Sequence, residues 1–296
     1  MSLVNLNTML QDARKNKYAV GAFDVSNHDM ALAVLDVAEE QKSPVILMGL
    51  TVDLQGDKLE YWIEGLKSMA KKAKVPVCIH LDHATDPNFI RNCVDSGFSS
   101  VMYDGSTLPL EENIKNTKEV VEYAHRHHVS VEAELGHVGD GIVGNSETGV
   151  KKDKNAAFDN PDDYLTNPGE MTRFIEETKV DALAVAVGTA HGVYVHKPKI
   201  HFDRLEELNS LSTVPMVMHG GSGTPDDLIR KSVQLGICKL NIFSEMLAAF
   251  YSAMKKELNE TENMSIWPCT ANKEPVEAMK KVVRDKILLL GSNNHA

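Results

Sequence analysis

The stretch Val75-Pro-Val-Cys-Ile-His-Leu-Asp82-His83-Ala-Thr-Asp86 decides the fold. Its apolar, β-branched run ends in an adjacent Asp-His pair, and a helical segment that starts with proline follows. This pattern predicts a buried strand, a loop and then a helix. The same layout returns in Val180-Asp-Ala-Leu-Ala-Val-Ala-Val-Gly-Thr-Ala-His191-Gly and in Val214-Pro-Met-Val-Met-His219-Gly-Gly-Ser-Gly. Three apolar runs that end at or just before a histidine predict three imidazoles converging on one metal ion.

Short apolar segments alternate with longer amphipathic segments along the rest of the chain. Strands are predicted at Tyr18–Phe23, Val45–Met48, Val77–Leu81, Ser100–Tyr103, Ser130–Glu134, Ala182–Val187, Pro215–Met218 and Cys238–Ile242. Helices are predicted at Asp29–Glu40, Leu59–Lys72, Pro87–Asp95, Leu110–His127, Gly169–Thr178, Phe202–Leu208, Pro225–Leu235 and Ser244–Leu258. Eight strands in strict alternation with eight helices predict an α/β fold, the (β/α)8 TIM barrel. The alternative is an open doubly wound sheet, which lacks support because no G-x-G-x-x-G follows the first strand.

The chain length fits one barrel, so we predict a single domain spanning residues 1–296. The tail after Leu258 predicts a loop, a helix near Pro275–Arg284 and a C-terminal strap, Ile287–Leu290, over the barrel. The connection from His137 to Pro168, after the fifth strand, is long and rich in Gly, Asn, Asp and Lys. Loops of this length are usually functional or disordered, and this one leaves the C-terminal face of the barrel. We therefore predict a mobile lid there.

Composition limits the partners and the compartment. A hydrophobic content of 43% and a charged content of 25% are typical of a soluble protein with a large core. The net charge of -11 argues against nucleic acid and anionic membranes as main partners. No apolar run approaches the ~20 residues needed to cross a bilayer, and the N-terminus shows no signal-peptide pattern. Four widely spaced cysteines without a CxxC pair predict free thiols in a reducing cytoplasm.

Polar residues at the C-terminal ends of the predicted strands are expected to form one cluster, because in a barrel these ends share the face that carries the active site. In chain order they are Asp24, Asn27, Asp82, His83, Asp104, Glu132, Glu134, His191, His219 and Asn241. Three imidazoles with an open coordination position suit a catalytic divalent metal, with Zn²⁺ as the first candidate. Such a metal acts as a Lewis acid on a carbonyl or generates hydroxide from water.

The other histidines carry structural predictions or none. His125, His127 and His128 end a predicted helix, where an imidazolium favours the helix dipole. His80 is expected on the opposite face of its strand from Asp82, as a core residue. Three more have no supporting pattern: His196, His201 and His295.

Two segments before helices predict an anion site. They are His219-Gly220-Gly221-Ser222-Gly223-Thr224 and Asn241-Ile242-Phe243-Ser244. Glycine lets backbone N–H groups approach an anion, and a helix N-terminus favours its charge. Because many barrels hold phosphate in the loops after strands seven and eight, we predict phosphate binding here. The alternative is ordinary tight turns, and Gly188-Thr-Ala-His-Gly192 is a further candidate for backbone contact.

Taken together, five motifs resemble those of class II, metal-dependent ketose-bisphosphate aldolases of the fructose-bisphosphate and tagatose-bisphosphate type. The resemblance runs from about Ala19 to Gly291. The motifs are Leu81-Asp82-His83, Val101-Met-Tyr-Asp104-Gly-Ser106, Glu132-Ala-Glu134-Leu-Gly136, Gly188-Thr-Ala-His191-Gly192 and His219-Gly-Gly-Ser-Gly223.

This resemblance implies a zinc enzyme that reversibly cleaves a ketose phosphate to dihydroxyacetone phosphate and an aldehyde. It implies zinc ligation by His83, His191 and His219, and exchange of the C4 hydroxyl proton by Asp82. Asp104 and Glu134 match positions that bind a second or displaced metal. The substrate-binding residues implied are Gly192, Gly220, Gly221, Ser222, Asn241, Ile242, Phe243 and Ser244. The resemblance also implies a homodimer or homotetramer, and a monovalent cation (Na⁺ or K⁺) near the phosphate in some members.

The chemistry of the residues agrees with this reaction. Breaking the C3–C4 bond leaves negative charge on the ketone fragment, which a Lewis-acid metal on the C2 oxygen stabilises as an enediolate. A carboxylate beside a metal ligand is placed for proton transfer. Lys239, inside the last strand, is the rival Schiff-base nucleophile.

The sequence departs from the family pattern in three places. Phe243 stands where Asp goes with fructose-bisphosphate enzymes and Ala with tagatose-bisphosphate enzymes, which leaves the sugar open. Asp24 stands where Asn is usual. The loop lacks the usual acidic pair after its glycines, so Asp140 or Glu147 is the candidate for the second proton transfer.

Three alternatives to this function remain. One is an aldolase for another phosphorylated ketose or a keto acid. Another is a barrel metallohydrolase, which should carry an H-x-H pair on the first strand, whereas Phe23-Asp24-Val25 has none. The last is a non-catalytic relative that binds a sugar phosphate.

Overall fold

A computed structural model of the chain describes residues 2–139, 164–192 and 198–296. Eight parallel strands pair in sequence order, and the first strand also pairs with the last, so the sheet closes into a barrel. The prediction of a (β/α)8 barrel is confirmed. The doubly wound alternative is wrong, because both edges that an open sheet would leave are joined to each other.

The strand bounds are β1 (Val20–Asp24), β2 (Val45–Leu50), β3 (Val77–Ala84), β4 (Ser100–Tyr103), β5 (Ser130–Leu135), β6 (Ala182–Val185), β7 (Met216–Met218) and β8 (Ile237–Ile242). The helix bounds are α1 (Leu6–Asn16), α2 (His28–Gln41), α3 (Lys58–Lys72), α4 (Pro87–Ser96), α5 (Leu110–Arg126), α6 (Pro168–Thr178), α7 (Phe202–Leu211), α8 (Asp226–Gln234), α9 (Ser244–Glu260), α10 (Pro268–Ala271) and α11 (Lys273–Leu290). None of these helices, in the described part of the chain, combines the length and the apolar character that a membrane span requires.

Every residue of the eight strands is buried, which explains their near-continuous apolar sequence. The outward-facing strand residues pack against the apolar stripes of the surrounding helices in one large core. Side-chain caps fix where several helices begin. Asn27 accepts a hydrogen bond from the backbone N–H of Met30 at the start of α2, and Asp86 accepts one from Asn88 at the start of α4.

Helix α1 was not predicted from the sequence. Asn5 caps it by accepting a hydrogen bond from the N–H of Thr8. Its apolar face buries Leu6, Met9, Leu10 and Ala13. This face joins a second, separate core with inward-facing residues from the N-terminal ends of the strands, so α1 closes that end of the barrel.

The C-terminal tail corrects another prediction. The apolar segment Ile287–Leu290 is not a strap, because it forms the last turns of α11, which runs without a break from Lys273. Buried residues recur at helical spacing along the whole of α11, and the helix packs against α2, α9 and β1. Most of the predicted lid, residues 140–163, lies outside the described residues, as do Asp140 and Glu147.

Candidate active site

A distortion in β3 brings two adjacent residues into the barrel. Neighbouring residues on a regular strand face opposite sides. The register between β3 and β4 shifts between Leu81 and Ala84, and His83 has a positive φ of 43°. Because of this local irregularity, Asp82 and His83 both make their contacts inside the barrel mouth.

The three histidines predicted at strand ends meet at this mouth. The Nε2 atoms of His83 and His191 are 3.1 Å apart. The ring centroid of His83 lies 4.6 Å from that of His191 and 4.6 Å from that of His219. One nitrogen from each ring falls within a 4.8 Å cluster, and all three residues are buried. Three buried imidazole nitrogens this close together form a donor set suited to a divalent transition metal.

Acidic partners set the orientation of two of the rings. His83 Nδ1 lies 2.9 Å from Asp104 Oδ2, which leaves its Nε2 facing the cluster. His219 Nε2 donates to Glu132 Oε1 at 2.9 Å. His219 Nδ1 is buried and has no hydrogen-bond partner, although Glu134 Oε2 is 3.4 Å away. A buried imidazole nitrogen left without a hydrogen bond fits a metal ligand, and carboxylates commonly orient such ligands in this way.

A second group shares one of these histidines. His83, Asp104 and Glu134 also bring one ligand atom each within 4.8 Å. Ser106 donates to Asp104 Oδ1 from both its hydroxyl (2.7 Å) and its backbone N–H (3.1 Å). Val138 N–H donates to Glu134 Oε1 at 2.9 Å. Both carboxylates are therefore held in place beside the histidine cluster.

The charges of the site are those expected of a cation-binding centre. Burial holds the pKa values of His191 and His219 well below the ordinary histidine value, so both rings are neutral at pH 7 with a lone pair to donate. Burial opposes protonation of His83 too, but the charge of Asp82 and the hydrogen bond that His83 donates to Asp104 outweigh it and raise the pKa of His83 well above its usual value. Burial, then the charge of Asp104, raises the pKa of Glu134 well above its usual value. Positive charge is thus favoured where the three rings meet.

A fully buried polar network lies one layer below the histidines. Lys239 Nζ contacts Glu132 Oε2 at 2.9 Å and donates to Asn241 Oδ1 at 2.7 Å. Asn241 Nδ2 donates to Asp82 Oδ1 at 3.0 Å. The sequence identified Asp82, Asn241 and Glu132 at strand ends but assigned no contact to Lys239.

His80 belongs to the same network, and its predicted orientation was wrong. It lies two residues before Asp82, so strand alternation places both on the inner face. His80 Nδ1 lies 2.8 Å from Ser100 Oγ, and its Nε2 lies 3.7 Å from Glu132 Oε2. The prediction that His80 is a buried residue is confirmed.

The two predicted phosphate segments pack against each other. Gly221 N–H donates to the carbonyl of Asn241 at 3.1 Å. Ser222 Oγ accepts from the backbone N–H groups of Phe243 (3.1 Å) and Glu245 (3.3 Å) at the start of α9. A Cβ on Gly220 would lie 2.3 Å from the carbonyl oxygen of Ala190, and φ of Gly220 is +69°. The glycines are thus required by close backbone packing, in addition to any contact with an anion.

The remaining predicted residues are placed as follows. Ile242 is fully buried in the core, and Phe243 is partly buried against that core. Gly192 has φ of +80°, Ser244 begins α9, and Asp24 is buried at the end of β1. His125 contacts Asp181 at 2.8 Å, at the opposite end of the barrel from the histidine cluster. His196 lies outside the described residues.

Comparisons with known proteins agree with this geometry. The family model of class-II fructose-bisphosphate aldolase matches residues 4–295. The crystal structure of the YdjI aldolase from Escherichia coli K12 is 34% identical over 99% of both chains, with a TM-score of 0.85. A putative fructose-1,6-biphosphate aldolase from Coccidioides immitis is 27% identical over 98% of this chain and 97% of its own, also with a TM-score of 0.85.

A more distant structure shares the fold. The fructose-bisphosphate aldolase (Fba) from Campylobacter jejuni is 21% identical over 100% of this chain and 97% of its own, with a TM-score of 0.80.

Proposed function

Because the chain belongs to the class II fructose-bisphosphate aldolase family, and is therefore an aldolase, we propose that it is a zinc-dependent enzyme of carbohydrate metabolism. The proposed reaction is the reversible cleavage of a ketose phosphate to dihydroxyacetone phosphate and an aldehyde. Fructose-1,6-bisphosphate, the glycolytic substrate, and tagatose-1,6-bisphosphate are the first candidates for the sugar. The observation that carries the proposal is the convergence of three buried imidazoles beside a buried carboxylate, Asp82.

We assign the zinc ligands to His83 Nε2, His191 and His219 Nδ1. The support is the 3.1 Å approach of the two Nε2 atoms and the buried, unbonded Nδ1 of His219. Bound zinc would supply a Lewis acid that stabilises negative charge on the ketose fragment. Asp104 and Glu134 are the proposed ligands of a second or displaced metal, because they share His83 within one cluster.

Asp82 is the proposed acid/base that exchanges the C4 hydroxyl proton. It is 2% exposed, and Asn241 donates to its Oδ1 at 3.0 Å. This hydrogen bond fixes the carboxylate plane and leaves Oδ2 as the atom that takes and returns the proton. A positioned carboxylate of this kind contributes about 10²–10⁴-fold to rate.

The phosphate is proposed to lie between the loop after β7 and the start of α9. Its proposed contacts are Gly192, Gly220, Gly221 and Ser222 on one side and Asn241 through Ser244 on the other. The support is the positive end of the α9 dipole together with backbone that glycine allows to come close. A monovalent cation, Na⁺ or K⁺, is proposed as a companion of this phosphate.

The sugar is left to experiment because Phe243 is neither the Asp nor the Ala of the two bisphosphate subfamilies. An aromatic ring at the start of α9 favours a less polar neighbour than a carboxylate does. Single-phosphate ketoses and keto acids are therefore included among the candidate substrates.

The decisive experiment is a coupled assay for release of dihydroxyacetone phosphate, with and without chelator. The panel holds fructose-1,6-bisphosphate, tagatose-1,6-bisphosphate, single-phosphate ketoses and phosphorylated keto acids. We expect chelator-sensitive release from one of them, restored by added Zn²⁺. Zinc bound to the protein with no release from the whole panel would point instead to a non-catalytic sugar-phosphate binder.

A companion measurement tests the ligand assignment independently of the substrate. His83→Ala should lose zinc, measured as metal content per chain after dialysis, while circular dichroism shows a folded barrel. Unchanged zinc content in this variant would remove His83 from the ligand set.

We also propose that the enzyme is a cytoplasmic homodimer or homotetramer. Among the described residues all four cysteines are free, which suits a reducing compartment. Helix α9 carries the apolar run Met246–Tyr251 but buries only Met246, and Tyr251 and Trp267 are 62% and 78% exposed. Large exposed apolar side chains on one end of a protein suit an interface between copies. Light scattering on the protein as it elutes from a size-exclusion column gives the mass that distinguishes a monomer, a dimer and a tetramer.

A further inference from the structure

Lys239 is a buried charge that the proposed reaction does not use. It is 0% exposed, as are Glu132 and His219. An ammonium group inside a protein is unfavourable unless it is paired and hydrogen-bonded. Lys239 Nζ contacts Glu132 on one side, at 3.1 Å (Oε1) and 2.9 Å (Oε2), and Asn241 Oδ1 on the other, at 2.7 Å. It therefore joins two groups that each contact a proposed functional residue.

The first arm runs through Glu132 to a proposed metal ligand. A carboxylate paired with an ammonium group acts as a hydrogen-bond acceptor. His219 Nε2, 2.9 Å from Glu132 Oε1, is therefore the protonated ring nitrogen. The other nitrogen, Nδ1, is then the one with the free lone pair, and it is the nitrogen that has no hydrogen bond. The Lys239–Glu132 pair thus selects the tautomer that metal binding requires.

The second arm runs through Asn241 to the proposed acid/base. An ammonium group only donates, so the amide oxygen of Asn241 must face Lys239. This fixes the orientation of the amide, and its Nδ2 faces Asp82 Oδ1 at 3.0 Å. Without the cation, the amide could turn over and place an oxygen against the carboxylate.

We propose that Lys239 is a positioning residue that sets, through one ammonium group, both the tautomer of His219 and the orientation of Asn241 beside Asp82. The proposal rests on the proposed function and deepens it, because it links metal ligation to proton transfer. The two contacts of Lys239, with Glu132 and with Asn241, also explain why this position of β8 does not hold an apolar residue, which would be less unfavourable to bury.

The test is Lys239→Met, which shortens the side chain by one heavy atom and removes its charge. We expect zinc affinity, measured by competition with a chromogenic chelator, to fall about 10–100-fold, as is typical when a partner of a metal ligand is lost. We expect kcat on the ketose phosphate to fall at least as much, since the second arm is broken too. KM should change less than kcat, because the contact of Lys239 with the proposed phosphate segments is to the side-chain amide of Asn241, which faces Asp82. Wild-type zinc affinity together with wild-type kcat would overturn the proposal.

A matched control separates positioning from general stability. Lys286 is also a buried lysine, 5% exposed, and it is paired with Glu245 at 2.8 Å. Glu245 contacts Ser222 and Gly223, whereas the partner of Lys239 contacts His219 itself. Lys286→Met should lower the melting temperature without changing zinc affinity. Equal losses of zinc affinity in the two variants would show a structural effect only and would count against the proposal.

A second variant guards against misfolding of the single one. Lys239→Met leaves the carboxylate of Glu132 buried and unpaired, so Glu132→Gln/Lys239→Met removes both charges together. We expect this double variant to fold and still to show lowered zinc affinity and kcat. Wild-type values in a folded double variant would again overturn the proposal. Failure of the proposed function would appear differently, as a wild-type protein that binds no zinc or cleaves none of the panel.

Discussion

The two ends of the barrel interior are built from the same strands but from different chemistry. At the N-terminal end, α1 and the inward-facing strand residues form an apolar core that includes Leu10, Ile46 and Val217. At the C-terminal end, the inward-facing residues are imidazoles, carboxylates and a lysine. The change occurs within single strands. Along β3 the inward residues pass from Cys78 through His80 to Asp82.

This contrast shows how one scaffold divides stability from chemistry. Burial of apolar surface stabilises the N-terminal end by about 25 cal/mol for each Å² removed from water. The polar groups at the C-terminal end are unfavourable to bury, and each one is tolerated through its hydrogen bonds and ion pairs. Changes at the two ends should therefore separate activity from stability.

The largest expected effect is on activity at the C-terminal end. Asp82→Ala should lower kcat by about 10²–10⁴-fold, because the proposed proton exchange is lost. Zinc content and the circular dichroism spectrum should stay as in the wild type. Asp82→Asn, which keeps the size of the side chain and its bond from Asn241, should lose as much activity. Full activity in either variant would remove Asp82 from the mechanism.

The next effect is on stability at the N-terminal end. Leu10→Ala should lower the free energy of unfolding by about 2–5 kcal/mol, since Leu10 is 0% exposed in the apolar core at the N-terminal end of the barrel. Urea denaturation measures the loss, and kcat per folded molecule should not change. Lys15→Ala, on the exposed side of α1, is the control and should stay within about 0.5 kcal/mol. A loss of kcat in Leu10→Ala would mean that the two ends are coupled.

A smaller effect tests whether backbone, as well as side chains, shapes the C-terminal end. Gly220→Ala places a side chain at positive φ and against the carbonyl of Ala190, next to His191. We expect a loss of about 1–3 kcal/mol in stability and a raised KM for the phosphorylated substrate. Thermal unfolding and steady-state kinetics measure the two. An unchanged KM would move the phosphate away from this loop.

The smallest expected effect is a pH dependence of stability that arises at the end of the barrel opposite the candidate active site. The hydrogen bond that His125 donates to Asp181 raises the pKa of His125 above its ordinary value, against an opposing contribution from burial. A raised pKa means that the pair stabilises the fold fully below the ordinary value of about 6.5, and that this contribution is lost as pH rises through the raised pKa. His125 is partly exposed, so solvent limits the gain to a few tenths of a kcal/mol.

The measurement for this pair is urea denaturation of the wild type and His125→Gln at several pH values. At pH 5.5 the wild type should have a larger free energy of unfolding than His125→Gln, and this difference should disappear at alkaline pH. A difference that grows with pH would contradict the assigned direction of the pKa shift.

Sequence periodicity predicted the barrel well because it is a local signal. Continuous apolar runs and amphipathic segments follow from burial on both sides of a strand and on one side of a helix. Helix α1 carried a usable signal that was missed, namely Asn5 as an N-cap and apolar residues at Leu6, Met9, Leu10 and Ala13. The apolar end of α11 was misjudged because four consecutive apolar residues concealed a helical spacing that Met279, Val283 and Ile287 continue.

The placement of the histidines at the mouth followed from the rule that strand ends share a face. The contacts beneath them did not follow, because they depend on the relative register of strands far apart in the chain. Glu132 lies in β5, Lys239 in β8 and His219 directly after β7, and no local pattern relates them. His83 faces the barrel interior because of a local irregularity in β3, and no pattern in the sequence of β3 predicts that irregularity.

The closure of the N-terminal end of the barrel by helix α1 has a consequence for folding during synthesis. Helix α1 is synthesised before all eight strands, yet it packs against β3, β5, β6 and β8, and β1 completes its pairing only with β8. This helix therefore leaves the ribosome before the strands that cover its apolar face, and its burial is complete only when β8 has formed. Such long-range contacts slow folding and keep apolar surface exposed meanwhile. A nascent chain stalled before Ile237 should thus be a chaperone client, held until β8 emerges.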